Sequence, residues 1–290
     1  MSAKVWIDGR FVDKINAKIS VLDHGLLFGD GVCVGTRIYG GQVFQLPQHL
    51  ERLFATAALI GLRIPLTPED ITQVVHDSIT LNDRTNGYVR ITVTRGAGMM
   101  GLDPRKCEPC VIVIADDVLV YPKEVTEFGL HIITSQSVRL YSSDIASQGS
   151  TLSTIHAVLA KREALQAGCL DALILDEQGR ITGTTDGAFF LVIGNVLKTP
   201  SLASCPDPIM HRYVKSFATS AGYNVVEESL TQHELAQGAE AFVASSSAGI
   251  VAIISIDQQA IGNGLQGPIT QLLREQFAVA VRLGSGEPAA

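Results

Sequence analysis

Arg90 stands in the middle of GYVRITVTRG, a run that alternates like a strand. A guanidinium in a strand is seldom buried without a partner, so a substrate carboxylate or an internal one is expected to meet it. His156 lies on a segment with helical spacing, six residues after the hydroxyl of Ser150, and is a candidate base; a lone histidine on a helix is equally a structural or solvated residue. Cys107 and Cys110 form a lone C-x-x-C in DPRKCEPC, but zinc needs two further ligands and no second pair lies nearby. No metal site is expected.

The elements that must position these groups read as a mixed α/β chain. VWIDGRFV, GQVFQL, GYVRITVTRG and PCVIVIADDV have strand patterns, and HLERLFATAALIGL has helical spacing. Further on, GLHIITSQSV, DALILDEQGRIT, GAFFLVIGNVL and EAFVASSSAGIVAIISI read as strands. TLSTIHAVLAKREALQAG, IMHRYVKSFATSAG and PITQLLREQFAVAV read as helices. VLVYPKEVTEFG mixes proline, charge and glycine between strand-like runs and is the linker candidate. The expected division is a small α/β domain over 1–119, a linker over 120–128, a larger β-rich domain over 129–283 and a disordered tail over 284–290.

Composition excludes several classes. The 290 residues carry a net charge of -7 with scattered basic residues, so the footprint of a nucleic-acid binder is missing. No apolar run reaches the roughly 20 residues that span a bilayer, and the N-terminus has no signal pattern, so a cytoplasmic protein is expected. Five cysteines, an odd number, argue for reduced thiols rather than a disulfide framework.

VLDHGLLFGDGV, TRIYGGQVFQLPQHLERL and YVRITVTRGAGMMGLDPRKC, followed by VLAKREALQAG, DALILDEQGRIT and VLKTP, run in an order that resembles the fold-type-IV, or class IV, pyridoxal-phosphate aminotransferases of the branched-chain and D-amino-acid type. The resemblance covers nearly the whole chain. It implies a two-domain α/β fold with the cofactor between the domains, a homodimer, and a small amino-acid-like or carboxylate substrate. It also implies that His24 and His49, carried by the active family, are structural.

The same resemblance marks departures. The family's Schiff-base lysine lies in Lys-Ser-Leu-Asn-Tyr-Leu, and counting back from Ala160 and Lys161 puts Ser150 at its position; a hydroxyl forms no imine. Lys123 and Lys161 are the nearest lysines. The family's Thr-Glu-Gly-Thr, whose glutamate keeps the pyridine nitrogen protonated, is matched by Thr182, Gly183 and Thr184, with Thr185 following, and the motif's asparagine is Ala188. Of the phosphate ligands, Arg52 is kept, Ile-Thr becomes Ile209 and Met210, the next arginine becomes His211, and Ser246 and Ser247 stand at the small-residue turn as a remnant anion site. On the substrate side Phe28 replaces a tyrosine, Cys33 and Val34 replace Phe-Glu, and Arg37 and Arg90 match family arginines.

These readings lead to an expectation of an enzyme descended from the family that works without pyridoxal phosphate. No covalent cofactor is expected, which leaves pyridoxal phosphate only as a non-covalent or vestigial ligand. The chemistry expected is lyase or isomerase chemistry on a small carboxylate or amino-acid-like substrate, with Arg90 and Arg52 holding anionic groups and Ser150, His156, His211 or Asp186 moving protons. The alternatives are a branched-chain-type transaminase with a substitute lysine or non-covalent cofactor, and a metabolite-binding protein without turnover.

Overall fold

The computed structural model describes residues 3–118, 120–140, 150–202 and 205–282; the tail expected over 284–290 lies outside them. The described elements in chain order are β1 (Lys4–Ile7), β2 (Arg10–Asp13), α1 (His24–Phe28), β3 (Gly31–Tyr39), β4 (Gln42–Val43), α2 (Leu46–Leu59), α3 (Pro68–Leu81), β5 (Gly87–Ala97), β6 (Glu108–Asp116), α4 (Lys123–Phe128) and β7 (Leu130–Leu140). There follow α5 (Ile155–Gln166), β8 (Asp171–Asp176), β9 (Arg180–Thr184), β10 (Ala188–Ile193), β11 (Val196–Thr199), α6 (Pro208–Ser220), β12 (Asn224–Glu227), β13 (Leu230–Thr231), α7 (Gln232–Leu235), β14 (Glu240–Ser245), β15 (Gly249–Ile256), β16 (Gln259–Ala260) and α8 (Pro268–Arg282). The fold is mixed α/β, as expected.

The chain forms two compact units, Met1–Val118 with Gln148–Thr154, and Leu119–Ser147 with Ile155–Ala290. A single cut near residue 120 does not give this division, because Ser150 to Leu152 return to the first unit. The candidate linker also folds: it contains α4, and Tyr121 is buried in the core of the second unit.

The first unit has a six-stranded antiparallel sheet in the order β2-β1-β6-β5-β3-β4. Alternation along β3 sends Val32, Val34 and Ile38 to one face, where they meet Leu50, Leu53 and Ala57 of α2 and Ile71, Val75 and Ile79 of α3. Each such buried aliphatic side chain contributes about 1.5–3 kcal/mol. Thr67 and Asp70 close a capping box that fixes where α3 begins. At Gly96 (φ +86°) β5 bulges against β6, and a Cβ there would lie 1.5 Å from the Glu108 carbonyl oxygen, so only glycine fits. Next to the bulge the Arg95 guanidinium binds both Asp30 oxygens and the carbonyls of Ile60 and Gly61, tying the turn before β3 to the end of α2.

The second unit is built on a ten-stranded mixed sheet, β12-β11-β10-β14-β15-β7-β8-β9-β13 with β16 on β15. β8, β10 and β14 are buried almost throughout and read as continuous apolar runs, because the sheet is covered on both faces. α5 packs on β7 and β8, while α6 and α8 pack on β14 and on each other. Glu240 of β14 is 6% exposed and caps α8, accepting the N–H groups of Ile269 and Thr270 and the Thr270 hydroxyl. Among the described residues no helix is long and apolar enough to cross a membrane.

Candidate active-site residues

On the first unit, period two puts Cys33, Arg37 and Tyr39 of β3 and Tyr88 and Arg90 of β5 on the sheet face opposite α2 and α3. Arg90 Nη2 donates to Cys33 Sγ at 3.2 Å. Burial pushes the Cys33 thiol up, and Arg90 and then Arg52 pull it back down, so both guanidinium groups lie near one sulfur. Burial likewise raises Tyr39 to about 12, with Arg37 opposing. The face offers positive charge and hydrogen-bond donors, a setting suited to a carboxylate.

Ser150 is held beside this face by its backbone. Its carbonyl accepts the Cys33 N–H at 2.8 Å, Thr151 bridges Val32, and Leu152 donates to the Gly31 carbonyl at 3.0 Å. Its N–H donates to Thr56 Oγ1 at 3.2 Å, and the Thr56 hydroxyl donates to the Arg52 carbonyl at 2.8 Å. This ladder is why TLST is not helical and α5 begins only at Ile155. Phe28 ends α1, packed edge-on against His24 at 5.0 Å.

On the second unit a polar network surrounds the β9–β10 turn. Asp171, fully buried, accepts from Tyr121 (2.6 Å), from the Thr185 hydroxyl (2.6 Å) and N–H (3.2 Å), and from the Ala172 N–H (2.8 Å). Lys161 lies over the Tyr121 ring, its Nζ 5.3 Å from the centroid, and donates to the Leu170 carbonyl. Thr184 and Gly187 close the turn on each other. Asp186 accepts from the Ser247 hydroxyl, which lies 3.1 Å from Ser245 Oγ. Close-packed atoms around its carboxyl raise the Asp186 pKa to about 6, and the negative charges of Asp207 and Asp171 add to this, although solvent still reaches the residue.

Gly183 has no room for a side chain. A Cβ there would lie 2.6 Å from Pro206 Cδ and 2.9 Å from the Gly187 carbonyl oxygen. Ile209 and Met210 are buried in the first turn of α6. His211 follows them but turns into the core: its ring lies 5.6 Å from that of Phe190 and its Nε2 donates to the Pro200 carbonyl. Burial lowers its pKa, and these contacts set its ring against the core instead of among the polar groups of the β9–β10 turn. His156 is half-buried in the first turn of α5, in a different unit from Ser150.

Sequence reasoning missed Asp207, Asp171 and Tyr121. Asp207 had a signal, since Asp followed by Pro is a helix-start signature. Asp171 and Tyr121 had none, because their pairing spans 50 positions.

Two sheet units, one antiparallel with arginines on one face and one mixed, with Ser246 after β14 donating to Asp207 just before α6, are those of a fold-type-IV transaminase-like protein. The chain belongs to the amino-transferase class IV family, whose model matches residues 31–256. It is 40% identical over 277 residues to a putative branched-chain-amino-acid aminotransferase of Methanocaldococcus jannaschii, covering 94% of this chain and 95% of that one. The crystal structure of the Escherichia coli branched-chain amino acid aminotransferase superposes with a TM-score of 0.92 at 26% identity, over 100% of this chain and 97% of the other. A T.th. branched-chain amino acid aminotransferase solved with pyridoxamine 5'-phosphate gives a TM-score of 0.91 at 28% identity, over 97% of this chain and 94% of the other.

This kinship overturns the expectation of an enzyme that works without pyridoxal phosphate and keeps it at most as a non-covalent or vestigial ligand. The relatives are aminotransferases, and one solved relative holds pyridoxamine 5'-phosphate. The expectation rests on single positions, Ser150 first among them, against a likeness that spans 94% of the chain.

Proposed function

We propose that this protein is an aminotransferase-family enzyme that acts on a small amino acid or 2-oxo acid with pyridoxal phosphate, held without a covalent bond to lysine. The observation that carries this reading is the anion cradle of the second unit. There the start of α6 and the Ser246 N–H already enclose a negative carboxylate, that of Asp207, and the Ser246 hydroxyl is buried with no hydrogen-bond partner among the described residues. A donor set that accommodates one oxyanion fits the phosphate end of the cofactor. The group, when bound, supplies an electron-accepting ring beside the substrate's α-carbon.

The chain's own residues supply the rest. Ile209, Met210, Ser246 and Ser247 would hold the phosphate, and Arg52 would keep the role the resemblance implies. Arg90 and Arg37 orient the substrate carboxylate. Asp186, titrating near 6, accepts and returns a proton, with the Ser247 and Ser245 hydroxyls behind it. Ser150, in the place of the family's lysine, contributes a hydroxyl as a hydrogen-bonding group and has no amine to offer.

The test is absorbance and intact mass of the protein with pyridoxal phosphate, before and after borohydride. Saturable binding with no fixed mass on the native chain is expected, and Ser150→Lys should gain a fixed adduct at residue 150. No binding sinks the reading. An adduct mapped to Lys161, the amine beside Tyr121, replaces it with a transaminase using a substitute lysine.

The assembly proposed is a homodimer. Leu22, Leu26, Phe28, Met99, Met100 and Leu102 are each at least 40% exposed, and the Leu22 carbonyl and His24 ring bind the 98–99 backbone, so two loops present one apolar surface. A cytoplasmic location remains the working expectation.

A further inference from the structure

Asp207 precedes the 13-residue helix α6 and binds in two directions. Its Oδ1 accepts the Met210 N–H at 3.1 Å, as an N-cap does. Its Oδ2 leaves the helix and accepts the Ser246 N–H at 2.6 Å, from the turn between β14 and β15. A cap needs one oxygen; the second bond closes a gap between segments 39 positions apart.

Ser246 gives an independent sign of a ligand. Its side chain is 5% exposed, and its hydroxyl finds no partner among the described residues. Buried hydroxyls are normally satisfied, so this one is a donor available to an acceptor oxygen that enters the cradle. A phosphate monoester has three terminal oxygens. It can take the N–H groups of Met210 and Ser246, the Ile209 N–H, which is the one first-turn donor left once Pro208 lacks an N–H and His211 bonds the Asp207 carbonyl, and the hydroxyl that Asp207 leaves unpaired, all at the positive end of a helix.

We propose that Asp207 is a resident stand-in for the phosphate that latches this cradle shut, so that the cofactor's phosphate enters by displacing it. The proposal deepens the cofactor reading above and rests on it. The surroundings make displacement necessary. Asp186, joined through Ser247 to the same turn, already feels the charge of Asp207, and a dianion added beside both carboxylates would be repelled. Cofactor affinity is therefore set by a competition between an internal carboxylate and an external phosphate.

Two variants separate the latch from an ordinary cap. Asp207→Ser keeps an N-cap hydroxyl for Met210 and frees the Ser246 N–H, and Asp207→Asn keeps the shape and removes the charge. Binding of inorganic phosphate, pyridoxal phosphate and phosphate-free pyridoxal is measured by calorimetry at fixed ionic strength on the parent chain and both variants. If one variant melts far below the parent, the other carries the test.

Inorganic phosphate should bind the variants at least roughly tenfold tighter than the parent, by removal of a like charge and of the competing acceptor, while pyridoxal is unchanged. No gain for phosphate, including no detectable binding to any of the three chains, overturns the latch, as does an equal gain for pyridoxal. A gain for inorganic phosphate with no binding of pyridoxal phosphate to any chain upholds the latch and sinks the cofactor reading.

Discussion

Arg90 and Asp186 are the residues whose loss should be felt most in the chemistry. A guanidinium holding a carboxylate contributes about 1.5–3 kcal/mol through charge-assisted bonds. Arg90→Gln should therefore weaken binding of a branched-chain 2-oxo acid roughly ten- to hundredfold, measured by calorimetry, with the melting temperature little changed. Asp186→Asn should lower turnover roughly 10²- to 10⁴-fold, the usual range for a positioned proton carrier. The parent's activity should rise with pH through about 6 as Asp186 becomes the acceptor, and the variant should lose that limb. The sign for stability is opposite. The folded chain holds a proton on Asp186 up to about 6, whereas the unfolded chain loses it near 3.8, so stability falls as pH rises between these values. Solvent access moderates the size of this effect. Melting curves at pH 4.5 and 7.5 should show the asparagine variant gaining on the parent at the higher pH.

The β9–β10 turn shows why a family residue cannot simply be put back. Gly183 lies against Pro206 and the Gly187 carbonyl, so Gly183→Glu forces the Cys205–Asp207 segment to move. Overpacking of this kind typically costs about 1–3 kcal/mol. A lowered melting temperature, without better cofactor binding, is the expected result, and a stable, tighter-binding variant would show that the segment yields easily. The same turn carries Thr185, hydrogen-bonded to Asp171, and Asp186, hydrogen-bonded to Ser247.

Across the whole molecule, the proposed dimer follows from the apolar loops of the first unit. Met100→Asp or Leu26→Glu should convert a two-chain particle into a one-chain particle by light scattering, because a charge buried without a partner opposes association. An unchanged mass in both variants would move the interface elsewhere.

Much of the architecture was legible before any coordinates. Alternation along GYVRITVTRG and the apolar runs of β8, β10 and β14 specify strands, and the spacing in α2, α6 and α8 specifies helices, because these signals are local and repeat with the period of the element. The family motifs likewise fixed the order of the candidate site residues along the chain. The sequence by itself determined most of the strands, the helices α2, α6 and α8, the class of fold, and the absence of a side-chain amine at position 150. Tertiary structure decided that the Ser150 segment pairs with β3 instead of extending α5, that His211 faces Phe190, and that Asp171 answers Tyr121. It also decided that Asp207 joins the start of α6 to the Ser246 N–H. Each of these depends on a hydrogen bond or packing contact that the chain makes only by folding back on itself, and no local pattern encodes which distant donor a carboxylate will meet.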